Sequence, residues 1–116
     1  MKDLRRQLLE IAEEATAFSV IVTSIVLLWK DNMLLLVVML IITAIALSFW
    51  HDSYDLLFFL LIAVVGSIAE IVFVHFGVWQ YANPTLLGIP IWFPPSFGTA
   101  GLITQRAART INELSK

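Results

Sequence analysis

The chain has 116 residues, no cysteine and a formal net charge of −2, and 59% of it is hydrophobic. Soluble domains average roughly 45–50% apolar residues, so a mean hydropathy of +0.89 marks a membrane protein. The charge leaves no basic field for nucleic acid, the missing cysteines exclude disulfides, thiolate catalysis and zinc–thiolate sites, and two histidines are too few for a self-contained histidine-rich metal centre, so neither metal nor cofactor is expected.

The pattern predicts an all-α fold. It is an integral membrane bundle of four transmembrane segments in a single domain over 1–116, the fourth segment broken by proline and glycine. Residues 1–14 read as a short amphipathic helix lying in the headgroups: Leu4, Leu8, Ile11 and Ala15 recur at helical spacing, with Arg5, Arg6, Glu10, Glu13 and Glu14 around them. No small-residue cleavage site follows, so a signal peptide is not expected. Span one covers 15–29 and carries Thr16, Ser19, Thr23 and Ser24. The turn Lys30-Asp31-Asn32 is tight, which makes spans one and two antiparallel neighbours. Span two, 33–50, is almost wholly apolar. A short acidic loop, His51 to Asp55, leads into span three, 56–76.

The last segment, 86–104, is apolar but interrupted by Pro90, Pro94, Pro95, Gly88, Gly98 and Gly101. Proline suits only the first turn of a helix. Residues 77–93 are therefore expected to be irregular, with a helix from about Pro95 or Ser96 to Leu114, Ser96 being its cap. Cations lie before span one (Lys2, Arg5, Arg6) and after span four (Arg106, Arg109, Lys116). By the positive-inside rule, four crossings put both termini on the cytoplasmic side of a cytoplasmic (inner) membrane. Trp29, Trp50, Trp79, Tyr81 and Trp92 sit near span ends, as an aromatic belt does.

Glu70 lies inside span three. A membrane carboxylate is a candidate functional group, because charge in hydrocarbon is costly. Counted back from Phe76 at ~1.5 Å per residue, it sits about 9 Å below the outer interface. Thr23 is at equal depth on span one and is the expected hydrogen-bond partner. His75 is about 140° around the helix from Glu70 at ~100° per residue, so the two form no same-face pair. Trp79, Tyr81 and Trp92, with Thr23 and His75, are the expected lining of an outward-leaflet pocket around Glu70. Glu70 is the candidate catalytic acid, and the structural alternative is a packing hydrogen bond.

The order Glu70…Gly77-Val78-Trp79-Gln80-Tyr81…Leu87-Gly88-Ile89-Pro90…Pro94…Phe97 resembles the membrane-embedded carotenoid-biosynthesis proteins. The nearer likeness is to the carotenoid hydratase-type family, the more distant one to the small lycopene cyclase domains. The resemblance covers residues 70–98, and a small multi-pass membrane family sharing this turn architecture describes it equally. It implies an intramembrane acid that protonates a double bond of a long isoprenoid, with Glu70 as the acid and Trp79 and Tyr81 beside the polyene end.

Three functions follow as expectations. The first is a lipid- or partner-binding accessory membrane protein, with membrane lipids or an apolar small molecule as ligand. The second is an enzyme acting on an isoprenoid or lipid at Glu70. The third is a small transporter that requires a homo-oligomer.

Overall fold

The computed structural model describes residues 3–116; Lys2, one of the cations used for topology, lies outside them. Four helices follow in order: α1 (Leu4–Leu28), α2 (Asn32–Phe49), α3 (Ser53–His75) and α4 (Phe93–Leu114). Aspartates start the first three. The Asp3 carboxylate accepts from the Arg5 N–H, that of Asp31 from the Leu34 N–H, and that of Asp52 from the Asp55 N–H. Each satisfies a backbone donor that has no partner inside its helix.

Three helices, α1, α2 and α3, are long and apolar enough to cross a membrane. That bears out an all-α membrane bundle at the level of class. It does not extend to a fourth crossing at 86–104, and three sequence expectations need correction. The amphipathic helix and span one are a single uninterrupted helix, because nothing between Glu14 and Ala15 breaks the backbone ladder. Span three begins earlier than expected, with Asp52 as its cap and Ser53 as its first residue. The third is the start of α4: residues 86–92 are irregular as expected, but the helix begins before Pro95.

There the chain makes a tight turn in which Leu86 and Ile89 exchange backbone hydrogen bonds of 2.8 and 2.9 Å. Leu87 and Gly88 both have positive φ, 49° and 93°, the pairing that primed two-residue turns demand. The helix then starts at Phe93. Trp92 is its cap and Pro94 and Pro95 occupy its first turn, where a missing N–H costs nothing. Ser96 is therefore inside α4 and not its cap; its hydroxyl donates to the Phe93 carbonyl.

The least apolar helix lies at the centre. α4 packs against α1, α2 and α3, and it buries Phe93, Ser96, Gly98, Thr99, Leu102, Ile103, Gln105 and Thr110. α3 by contrast buries only Asp55 and Ser67 among its own residues. A helix packed against three others can carry glycine, threonine and glutamine on its buried side. In a bilayer, helices gain little from hiding leucine, because lipid is just as apolar. Close packing and interhelical hydrogen bonds hold them together instead.

The α3–α4 contact shows such packing. A Cβ added at Gly98 would lie 2.8 Å from both the Ala63 Cβ and the Phe59 carbonyl oxygen. At the bundle's centre Thr43 of α2 and Thr99 of α4 share a hydrogen bond of 2.7 Å. Beyond it, Ile21, Leu35, Met39, Trp92 and Ile103 form the apolar core.

Candidate functional site

The residues expected around Glu70 do not all converge. Glu70 accepts a hydrogen bond from the Tyr81 hydroxyl. The irregular segment after α3 folds back far enough to bring the two together. Burial, and then the bond to Glu70, raise the Tyr81 hydroxyl above its ordinary value, so the phenol remains a donor. Tyr81 also meets Phe93 edge-on, and Phe93 stacks on Phe97, linking this pair to the first turn of α4.

The other residues lie apart. Trp92 turns toward the α1–α2 connection, and its indole N–H donates to Asn32 Oδ1 at 3.0 Å. Asn32 Nδ2 donates to the Asn83 carbonyl, and Asn83 Nδ2 donates to the Trp29 carbonyl. This network ties the α3–α4 segment to the α1–α2 turn. Trp79 packs edge-on against Phe73, and exposed His75 packs against Phe76. Thr23 is exposed on α1 and borders a shallow depression with Ala15, Thr16, Ser19, Val20 and Ser24.

Elsewhere the helices leave an open space. A cavity of about 600 Å³ lies between α1, α2 and α4, within the ~300–1,000 Å³ typical of small-molecule sites. Its walls are Leu9, Ala12, Thr16 and Val20 on one side and Ile42, Ile45, Ala46 and Phe49 on the other. Thr99 and Ile103 of α4 form the floor, and Glu13, Ala17 and Trp50 complete the lining. The cause is local. α1 and α2 are pinned together at Lys30–Asp31, where Ile21, Ile25, Leu28, Leu35 and Met39 pack. Towards the other end they part over α4, and small side chains (Ala12, Ala46) leave the gap unfilled.

At the end where α1 and α2 part is a charged clasp. Asp55 is 0% exposed. Its carboxylate accepts from the Asp52 N–H at 3.0 Å, Gln105 Nε2 at 2.6 Å, Arg106 Nη1 at 2.5 Å and Arg109 Nη2 at 3.3 Å. Asp52 lies 3.2 Å from Arg109 Nη2. The Asp55 backbone N–H donates to the Asp52 carboxylate and holds it below the ordinary aspartate value against the opposing effect of burial, with Arg109 and Arg106 helping. The Arg106 guanidinium lies over the Trp50 ring at 5.4 Å and that of Arg109 over Tyr54 at 5.7 Å. Thr110 donates to buried Glu14 at 2.9 Å, joining α4 to α1.

The clasp was not foreseen. Its local signal was present: Asp52 and Asp55 have the spacing of a reciprocal helix cap, and Arg106 and Arg109 share a helical face. What no local rule supplies is that the two sets meet. Compared with known proteins, the chain matches no family model, no curated protein and no solved structure.

Proposed function

We propose that this is a non-enzymatic integral membrane protein that binds a lipid by one hydrocarbon chain. The chain lies in the groove between α1, α2 and α4. The observation carrying this reading is the groove itself: a cavity of about 600 Å³ lined almost wholly by apolar side chains. Water gains nothing from such a surface, and an acyl or isoprenoid chain fits its chemistry. The resemblance of residues 70–98 to proteins handling long isoprenoids favours the same ligand class.

Acid catalysis at Glu70 has less support. No α3 residue lines the groove, and the Glu70 carboxylate is engaged by Tyr81. The homo-oligomeric transporter has no observation specific to it.

The proposal includes four crossings with both termini on the cytoplasmic side. α4 runs antiparallel to α3, from the level of Glu70 and Tyr81, where Phe93 packs, to the level of Asp55, where Gln105 and Arg106 bind. At ~1.5 Å per residue the stretch from Phe93 to Arg106 covers about 20 Å. Its low hydropathy is that of a helix shielded by three others. A reporter fused after Lys116 is expected on the same side as one fused before α1, and opposite sides would overturn this topology.

The binding claim is tested by native mass spectrometry of the protein extracted in mild detergent. Ala12→Trp and Ile45→Trp each place an indole in the groove from an exposed wall position, away from the packed core. Both are expected to abolish a retained lipid that Glu70→Gln leaves in place. Equal retention by all variants would sink the proposal. Loss only in Glu70→Gln would restore the carboxylate as the site.

A further inference from the structure

The groove occupies only the clasp half of the bundle. On α1 its lining runs from Leu9 to Val20 and on α2 from Ile42 to Trp50, about 16 and 12 Å at ~1.5 Å per residue. Half of a ~30 Å hydrocarbon core is about 15 Å, so the groove is as long as one leaflet is deep. Beyond it the helices close. Ile21 lies one turn on from Ala17, and Met39 one turn on from Ile42, toward the Lys30–Asp31 turn; both are buried, with Leu35, in the apolar core. Thr43 and Thr99 join α2 to α4 at that same end. A hydrocarbon chain entering from the clasp side stops there.

The lining also has a direction. Its charged residue, Glu13, and its tryptophan, Trp50, are both toward the clasp, where Arg106 lies over the Trp50 ring. The hydroxyls farther in are already engaged. Thr16 donates to the Ala12 carbonyl at 2.7 Å; Thr99 donates to the Pro95 carbonyl at 2.8 Å and shares the bond with Thr43. The closed end therefore offers a ligand no polar partner, whereas a tryptophan at the mouth suits the membrane–water interface. A ligand's polar end belongs at Glu13 and Trp50, and its apolar end at Ile42. The groove is also open sideways, since Val20, Ile45 and Phe49 on its walls are exposed. A chain can enter from the surrounding lipid without leaving its own leaflet.

We propose that the groove is a single-leaflet site: it takes one acyl chain of a phospholipid from the leaflet at the clasp end, with the terminal methyl at Ile42, and excludes rigid hydrocarbon that must continue past the midplane. This rests on the groove reading above and narrows it to a ligand length and orientation. With the topology proposed there, the leaflet is the cytoplasmic one.

The test uses the full chain in nanodiscs of dioleoyl phosphatidylcholine with β-carotene, transferred afterwards to a mild deuterated detergent so that only retained lipid is seen. The phospholipid is deuterated except at its terminal methyls or, in a second sample, except at the methylenes beside its carbonyls. Magnetisation transfer is read at the methyls of Ala12, toward the mouth, and Ile42, at the closed end. Terminal-methyl protons are expected to reach Ile42 and not Ala12, and carbonyl-end protons Ala12 and not Ile42. The swapped pattern, which loading from the other leaflet gives, or equal transfer from both labels to both methyls, would overturn the orientation and leave the groove standing. β-Carotene, a rigid polyene longer than one leaflet, is expected to be lost on transfer; its retention beside the phospholipid would overturn the length limit. Ile45→Trp is expected to abolish every transfer. No transfer in the wild type, or transfer that persists in Ile45→Trp, means that the groove reading has failed, and this one with it.

Discussion

α4 meets its neighbours in two different ways. Against α3 it is closed: Gly98 brings the backbones so near that Ala63 and the Phe59 carbonyl occupy the place of a Cβ, and Ile62 does the same at Gly101. Against α1 and α2 it is bridged at a few points (Thr43–Thr99 and Thr110–Glu14) and open between them. Small residues produce both results. Glycine on α4 opposite a well-filled α3 gives contact; alanine on α1 and α2 at the ends where those helices diverge gives a void. One face is closed by packing, and the other is left open.

The largest effect is expected where the closed face is anchored. Asp55→Ala removes the shared acceptor of Gln105, Arg106 and Arg109. Breaking such a buried pair costs about 3–5 kcal/mol, read as a large fall in thermal midpoint in detergent. A loss as small as that of an exposed ion pair would show that the clasp does not hold α4 to α3. Gly98→Ala should follow, at about 1–3 kcal/mol for forced overpacking. The equivalent addition on the open face, Ala12→Trp, should leave the midpoint nearly unchanged. Equal costs on both faces would erase the distinction drawn above.

Much of this asymmetry could not be read from the sequence. Hydropathy finds helices that meet lipid, so α2 was legible to within a residue at each end, and α3 except for its capped first turn. α4 was legible mainly by its prolines, because Thr99, Gln105 and Thr110 are buried against other helices and not against lipid. The acidic loop at His51 to Asp55 reads as a solvated turn until Arg106 and Arg109 arrive some fifty positions later. Glu70 stood out because an isolated charge in an apolar run is conspicuous, and its bond to Tyr81 depends on the fold-back after Gly77. The groove has no sequence signal at all: it is the space between Leu9–Val20 and Ile42–Trp50, and only their divergence creates it.

Two smaller effects sharpen the account. Thr43→Val removes the bond to Thr99 and should cost about 0.6 kcal/mol, the usual worth of an interhelical hydrogen bond in a bilayer; Thr99 keeps its bond to the Pro95 carbonyl. The smallest is a pH effect. The Asp52 carboxyl is held below its ordinary value of 3.8, so its contribution is full above that value and fades as pH falls through the lower folded value. Acid unfolding of Asp52→Asn should lack that component, whereas identical acid limbs would show that folding does not lower the Asp52 carboxyl.

The most direct test of the open face is a contact measurement. Methyl-labelled protein in nanodiscs with protonated acyl chains can report magnetisation transfer from lipid methylenes to individual alanines. Ala46 is nearly buried and lines the groove, while Ala63 faces Gly98 in the closed contact. Transfer from acyl methylenes to the Ala46 methyl, absent at Ala63 and lost in Ala12→Trp, is the predicted result. An Ala46 methyl that sees no acyl chain would contradict a groove built to hold one.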